Sequence, residues 1–200
     1  MVVPADTNID SIASDLLSKS LKEFCSGLGM MFDLKIGYEA NQTSHTTLEA
    51  LKSSFGSLSA VYSVEARGSI NGVLYLILDQ KGVFTLPGII VMHPPKRIQE
   101  NCEKGTMEDA NPISDAIGEL GNLLVGEFDK ASRDVFDEKT HLLQIGTKVG
   151  FLKDIPEVFT DISDGEEFSY AGCEVTVGSY VPFQCGVIMP LSLFSAASEQ

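Results

Sequence analysis

The chain is expected to fold as an α/β domain with helices packed on a mainly antiparallel sheet, and three observations carry that expectation. Residues 8–28 and 111–137 repeat apolar side chains every three or four positions, the period of a one-faced helix. Residues 60–79 and 173–190 read as β-hairpins rich in β-branched side chains. The order helix, strands, helix, strands runs without any segment of linker composition, which points to one domain over residues 1–200 with its core at about 8–193.

The elements follow in order. In residues 8–28, Ile9, Ile12, Ala13, Leu16, Leu17, Leu21, Phe24 and Leu28 fall at helical spacing, Asp6, Thr7 or Asn8 can cap the start, and Gly27 and Gly29 are expected to stop the run. Residues 34–40 suit a short strand. The Ser/Thr-rich stretch 41–59 is either loop or a short helix around Leu48 and Leu51. Val61, Val64 and Ala66 lead into the apolar run 73–78, and the Asn71-Gly72 pair between them suits a type I′ turn. The second arm is apolar enough to be a central, covered strand.

Residues 84–92 read as helix or strand interrupted by Pro87, with Pro94-Pro95 ending them, and 96–104 suit a short helix. Residues 105–111 form an acidic connector. Asn111-Pro112 then signals a helix start, with Asn at the N-cap and Pro at the first helical position. Residues 141–151 suit a strand, and the acidic, breaker-rich 153–167 suits a loop or insertion. The final hairpin, 173–180 with 183–190, turns at Pro182.

Composition removes several function classes. A net charge of −14 with only 14 Lys and Arg leaves no basic surface for nucleic acid or for an anionic membrane. A partner with a basic patch suits it better. No basic n-region precedes an apolar core at the N-terminus, and no apolar run nears the roughly 18 residues that span a bilayer, so a cytoplasmic chain is expected. Cys25, Cys102, Cys173 and Cys185 show neither C-x-x-C spacing nor a ligand pattern with His45, His93 or His141. They read as reduced, buried thiols, with no metal or cofactor of the chain's own expected. No Gly-rich phosphate loop and no ligand cluster point to a small-molecule sensor.

The helix from Ile113 onward carries the chemistry. At about 100° per residue, Ile113, Ile117, Leu120, Leu124, Phe128, Ala131 and Val135 form the core stripe. Asp115, Glu119, Asn122 and Gly126 gather almost opposite. Gly118, Gly121 and Gly126 each cost about 1 kcal/mol against Ala in a helix interior. Close packing explains Gly121, which lies toward the core flank, whereas Gly126 on the polar stripe lets a partner's backbone approach.

The run Asp115-Ala-Ile-Gly-Glu119-Leu-Gly-Asn122-Leu-Leu-Val-Gly126 resembles the signature of the CheC/CheX/FliY chemotaxis phosphatases, in which Glu follows an Asp or Ser by four residues and Asn follows Glu by three. The single-motif CheX branch is the most similar. Residues 19–26 look like a decayed second copy, with Lys19, Glu23 and Ser26 matching Asp115, Glu119 and Asn122. The resemblance implies pseudo-symmetric halves, a homodimer formed by joined sheets, and hydrolysis of the aspartyl-phosphate of a CheY-type response regulator whose receiver domain holds its own Mg²⁺. By the same resemblance Asn122 steers the water, Glu119 engages the receiver's lysine, and Asp115 and Gly126 contact the partner. A competing expectation is a non-enzymatic module of the same fold that binds a response regulator or a flagellar switch protein.

Overall fold

The computed structural model describes residues 9–41, 43–163 and 165–198, with residues 156 and 195–198 described by backbone only. The capping residues expected at 6–8 lie outside the described residues. Helix α1 (Ile9–Phe32) buries Leu16, Leu17, Leu21, Phe24 and Leu28. Gly27 and Gly29 do not stop it, because each glycine costs about 1 kcal/mol and burying Phe24 and Leu28 offsets this by about 1.5–3 kcal/mol each. The helix ends where Asp33 adopts φ 52° and the Leu34 N–H returns to the Gly29 carbonyl at 3.1 Å.

Strand β1 (Ile36–Ala40) appears as expected. The polar stretch after it holds both a strand and a helix, β2 (Ser44–Thr47) and α2 (Leu48–Ser54). Thr47 caps α2, its hydroxyl accepting from the Ala50 N–H at 3.5 Å.

Strands β3 (Leu58–Arg67) and β4 (Gly72–Leu78) pair antiparallel from Ala66 opposite Gly72 to Ala60 opposite Leu78. Their turn differs from the expected type I′. Positive φ falls at Gly68 and Gly72, and Asn71 instead uses its side chain, which accepts from the Gly68 N–H and donates to the Gly68 carbonyl. A four-residue loop closed by an amide replaces the two-residue turn.

Helix α3 (Gln80–Ile90) contains Pro87 and starts at Asp79, whose carboxylate accepts from the Gly82 N–H at 2.9 Å. Next come α4 (Pro95–Lys104), the one-turn α5 (Met107–Ala110), and α6 (Ser114–Val135) after a 3₁₀ turn. Strands β5 (His141–Phe151), β6 (Glu167–Val177) and β7 (Phe183–Pro190) complete the sheet.

The seven described strands form one antiparallel sheet in the order β1-β6-β7-β4-β3-β5, with β2 also pairing β6. Exchanging α1-β1-β3-β4 for α6-β5-β6-β7 turns this order into its own reverse. The halves are therefore pseudo-symmetric about the central β4–β7 pair, and each half's first strand flanks the other half's hairpin. Helices α1, α3 and α6 cover one face over a large apolar core. On the opposite face α2 and its C-cap residue supply Leu48, Leu51 and Phe55, and the stretch between β5 and β6 supplies Leu152, Val158, Phe159 and Ile162. The described residues of that acidic stretch are loop, as expected, apart from a 3₁₀ turn at Pro156–Val158, yet they seal the sheet. The Tyr75 hydroxyl donates to the Asp161 carboxylate at 3.2 Å beneath it.

Candidate functional site

The site helix begins upstream of its sequence signal. The Asp109 carboxylate accepts from the Thr106 N–H at 3.0 Å and from the Thr106 hydroxyl at 2.9 Å, which caps α5. Asn111 is therefore not an N-cap: it is helical, at φ −53° and ψ −45°. With capping achieved five residues earlier, Asn111-Pro112 falls in the tightened 3₁₀ turn between α5 and α6, where the fixed φ of proline is accommodated.

Along α6 the core stripe lies where the periodicity puts it, with Ile117, Leu120, Leu124 and Phe128 buried and Val135 half-buried. Asp115, Glu119 and Asn122 are all exposed on the other side. Among the described residues none of the three side chains has a hydrogen-bond or ion-pair partner. The glycines divide into two kinds. A Cβ at Gly118 or Gly126 would meet nothing within 4 Å, whereas one at Gly121 would stand 2.4 Å from the Tyr62 ring and 2.5 Å from Gln144 Oε1. Gly121 thus allows helix and sheet to touch, and the other two leave open backbone on or near the polar face.

Two residues absent from the sequence expectations hold this helix in place. The buried Tyr62 hydroxyl donates to the Ile117 carbonyl at 3.1 Å. Burial pushes the Tyr62 phenol well up, so it remains a neutral donor. Two turns beyond Asn122, Asp129 Oδ1 accepts from the Leu142 N–H of β5 at 2.8 Å, and its other oxygen pairs with Arg133. His141 Nδ1 lies 3.6 Å from the same carboxylate. Asp129 carried a weak signal, since it falls seven residues after Asn122 on one stripe, but its partner is fixed only by the fold.

The first helix presents Lys19, Glu23 and Ser26, all exposed. Cys25 has Tyr38 and Cys173 as electrostatic neighbours, one on the edge strand and one on the adjoining hairpin strand. Gly121 meets Gln144 and Tyr62 in the equivalent places, so Cys25 matches Gly121, and Glu23 matches Glu119 with Ser26 matching Asn122. A cleft of about 290 Å³ between α1 and α6 is lined by Lys19, Lys22, Glu23, Glu127, Lys130 and Asp134. A smaller one, about 120 Å³, includes Gly27, Met31 and Leu123. A third cavity, about 490 Å³, lies on the opposite face of the sheet. None of the three is lined by Asp115, Glu119 or Asn122, which stand on a convex ridge.

All four cysteines are free and buried. Burial, with Cys173 adding to it, pushes the Cys25 thiol up to about 12. Among the described residues no group of three or more His, Cys, Asp or Glu is placed to hold a metal ion. No helix among them is long and apolar enough to cross a membrane.

No protein-family model matches the sequence, and comparison with curated proteins finds no match. Solved structures do match. FliY of Thermotoga maritima superposes with a TM-score of 0.68 at 16% identity, covering 100% of this chain and 97% of that one. The FliM middle domain of Vibrio alginolyticus gives 0.65 at 14% identity, covering 92% and 96%. A chain from the FliG–FliM complex of H. pylori gives 0.68 at 9% identity, covering 96% and 100%. The chain therefore has the fold of FliY and of the FliM middle domain, and on that fold its Asp115–Asn122 motif occupies an exposed helical ridge.

Proposed function

We propose that this chain is a chemotaxis phosphatase that hydrolyses the aspartyl-phosphate of a CheY-type response regulator. One observation carries the reading: Glu119 and Asn122, the two positions that match the phosphatase signature, stand exposed and without protein partners on one helix face. A catalytic group acting on another protein's acyl phosphate must project outward, and a ridge can enter a receiver's active site where a cleft could not.

The residue types suit the reaction. A water oxygen attacks phosphorus, the bond from phosphorus to the aspartyl oxygen breaks, and inorganic phosphate leaves a free carboxylate. The transition state is loose, so positioning and charge compensation do most of the work. Mg²⁺ and a lysine on the receiver neutralise the phosphoryl oxygens. The Asn122 carboxamide oxygen accepts from the water and holds it in line, and being uncharged it does not repel the phosphoryl group. Glu119 pairs with the receiver's lysine and fixes the docking register. Asp115 lies one turn away in the same interface, and the open backbone at Gly126 admits the receiver chain. The family resemblance of the motif implies that the chain acts as a homodimer with joined sheets.

The test is phosphate release from a phosphorylated CheY-type receiver. Wild-type protein accelerates it, and Asn122→Ala removes the acceleration by about 10²–10³-fold while the circular dichroism spectrum stays unchanged. Equal acceleration by the variant overturns the assignment. The likeness to FliM middle domains, one of them from a complex with FliG, favours a second reading in which the same ridge binds a receiver or switch protein without hydrolysis. Binding without acceleration by the wild-type chain identifies that alternative.

A further inference from the structure

The largest of the three cavities lies far from the α6 ridge, on the sheet face that α2 covers, and its volume is about 490 Å³. Its floor follows from two glycines. Gly172 and Gly186 face each other across β6 and β7, and a Cβ at either would stand 2.9 Å or less from the Tyr170 side chain, which lies over them. The bare patch lets the Tyr170 ring lie low, so the space above stays open beneath α2. Phe55 closes one wall, its ring edge-on to Tyr170 with centroids 6.4 Å apart.

The polar lining is dense and largely unspent. Ser44, Thr46, Ser57 and Tyr170 line the cavity, and none of their hydroxyls has a hydrogen-bond partner among the described residues. Burial drives the Tyr170 phenol upward, which keeps it a neutral donor. Asn41 donates to Gln184 at 3.0 Å, which fixes two amides on the rim. At the far side Asp79 and Lys81 add one charge of each sign.

We infer that this cavity is a binding site for a small neutral polyhydroxylated ligand, of the size of a monosaccharide or disaccharide. Four hydroxyls that both donate and accept match a ligand whose own hydroxyls do the same. Two aromatic rings offer apolar contact to the ligand's C–H edges. The compensated Asp79–Lys81 charge favours neither anion nor cation, and the chain's net charge of −14 further disfavours an anion. The volume falls within the range of roughly 300–1,000 Å³ usual for ligand sites.

The test is a titration of the ¹⁵N-labelled full chain with glucose, galactose, ribose, trehalose and myo-inositol. Each is added up to about 10 mM, and inorganic phosphate and citrate serve as anionic probes. The expected result is saturable displacement of the Tyr170, Lys81 and Gln184 amide resonances by at least one neutral probe. Tyr170→Phe, which keeps the ring, weakens that binding by about tenfold, and Thr46→Val, which keeps the shape, weakens it as well. The proposal is overturned if no neutral probe saturates, if saturation comes only from an anion, if the displaced resonances lie elsewhere, or if both variants bind as wild type does.

Discussion

Tyr62 and Ile117 join the sheet to the site helix: a phenol buried in β3 donates to a main-chain carbonyl of α6 at 3.1 Å, one turn before Gly121. The contact requires the helix to lie closer than a side chain at Gly121 would allow, since a Cβ there would come within 2.4 Å of the same ring. Position and rigidity of the Glu119–Asn122 face follow from this approach.

The three glycines of α6 should consequently respond in opposite ways to alanine. Gly121→Ala is expected to destabilise by about 1–3 kcal/mol, since the overpacking outweighs the helix propensity gained. Gly118→Ala has open space around it and should stabilise by up to about 1 kcal/mol. Gly126→Ala should stabilise equally while weakening receiver binding. Urea denaturation of the three variants separates the outcomes, and equal stability in all three would show that Tyr62 does not set the helix position.

Asp129 anchors the other end of the same helix. Replacing it with Ala leaves the Leu142 N–H without its acceptor at the start of β5, at a cost of about 1–3 kcal/mol. Asp129→Asn keeps an acceptor oxygen and should recover most of the loss. Hydrogen exchange at Leu142 offers a local check: exchange should accelerate in the Ala variant and not in the Asn variant.

Asp137 should give a measurable acid signature. The Ser69 hydroxyl donates to it, and the Lys139 N–H and Thr140 hydroxyl add to that, so its folded pKa lies below the ordinary carboxylate value. A depressed acid contributes stability that is present above its unfolded pKa and is lost as pH falls through the folded one. In Ser69→Ala the Asp137 titration followed by NMR should move upward, and stability should change less across the acid limb. An unmoved titration would mean the hydroxyl makes no difference in solution.

The four thiols should be inert in the native protein. Each is buried; burial raises Cys25 and Cys102 above the ordinary thiol value, and the neighbouring Cys173 side chain together with burial raises Cys185, so little thiolate forms near neutrality. Ellman's reagent should find no rapidly reacting thiol without denaturant and four with it. Fast labelling of even one would show that the sheet opens.

What the sequence made legible follows from the range of each signal. Helices α1 and α6 were legible because Leu16, Leu17 and Leu21, or Ile117, Leu120 and Leu124, repeat within one segment. The exposed face that carries Asp115, Glu119 and Asn122 was legible for the same reason, whereas reading those three as a motif rests on the family resemblance. Strand β2 was not: Ser44-His-Thr-Thr47 has no apolar alternation and forms by pairing with β6, more than a hundred residues away. The turn after Arg67 was misread because the Asn71 amide, not its backbone, closes it. Tyr62 and Asp129 escaped because their roles depend on which carbonyl or N–H the tertiary fold brings to them.

Pseudo-symmetry supplies the sharpest control on catalysis. Glu23 and Ser26 occupy on α1 the positions of Glu119 and Asn122 on α6, with serine in place of the amide. If activity needs a carboxamide beside the glutamate, Glu23→Ala should leave receiver dephosphorylation unchanged, whereas Glu119→Ala should lower it by about 10²–10³-fold. Ser26 is exposed, so Ser26→Asn tests the converse without disturbing the core. Paired with Asn122→Ala, it should restore part of the lost rate if the α1 ridge is accessible to the receiver. Loss of activity in Glu23→Ala equal to that in Glu119→Ala would instead mean that both helices form one composite docking surface, and the single-helix site would have to be abandoned.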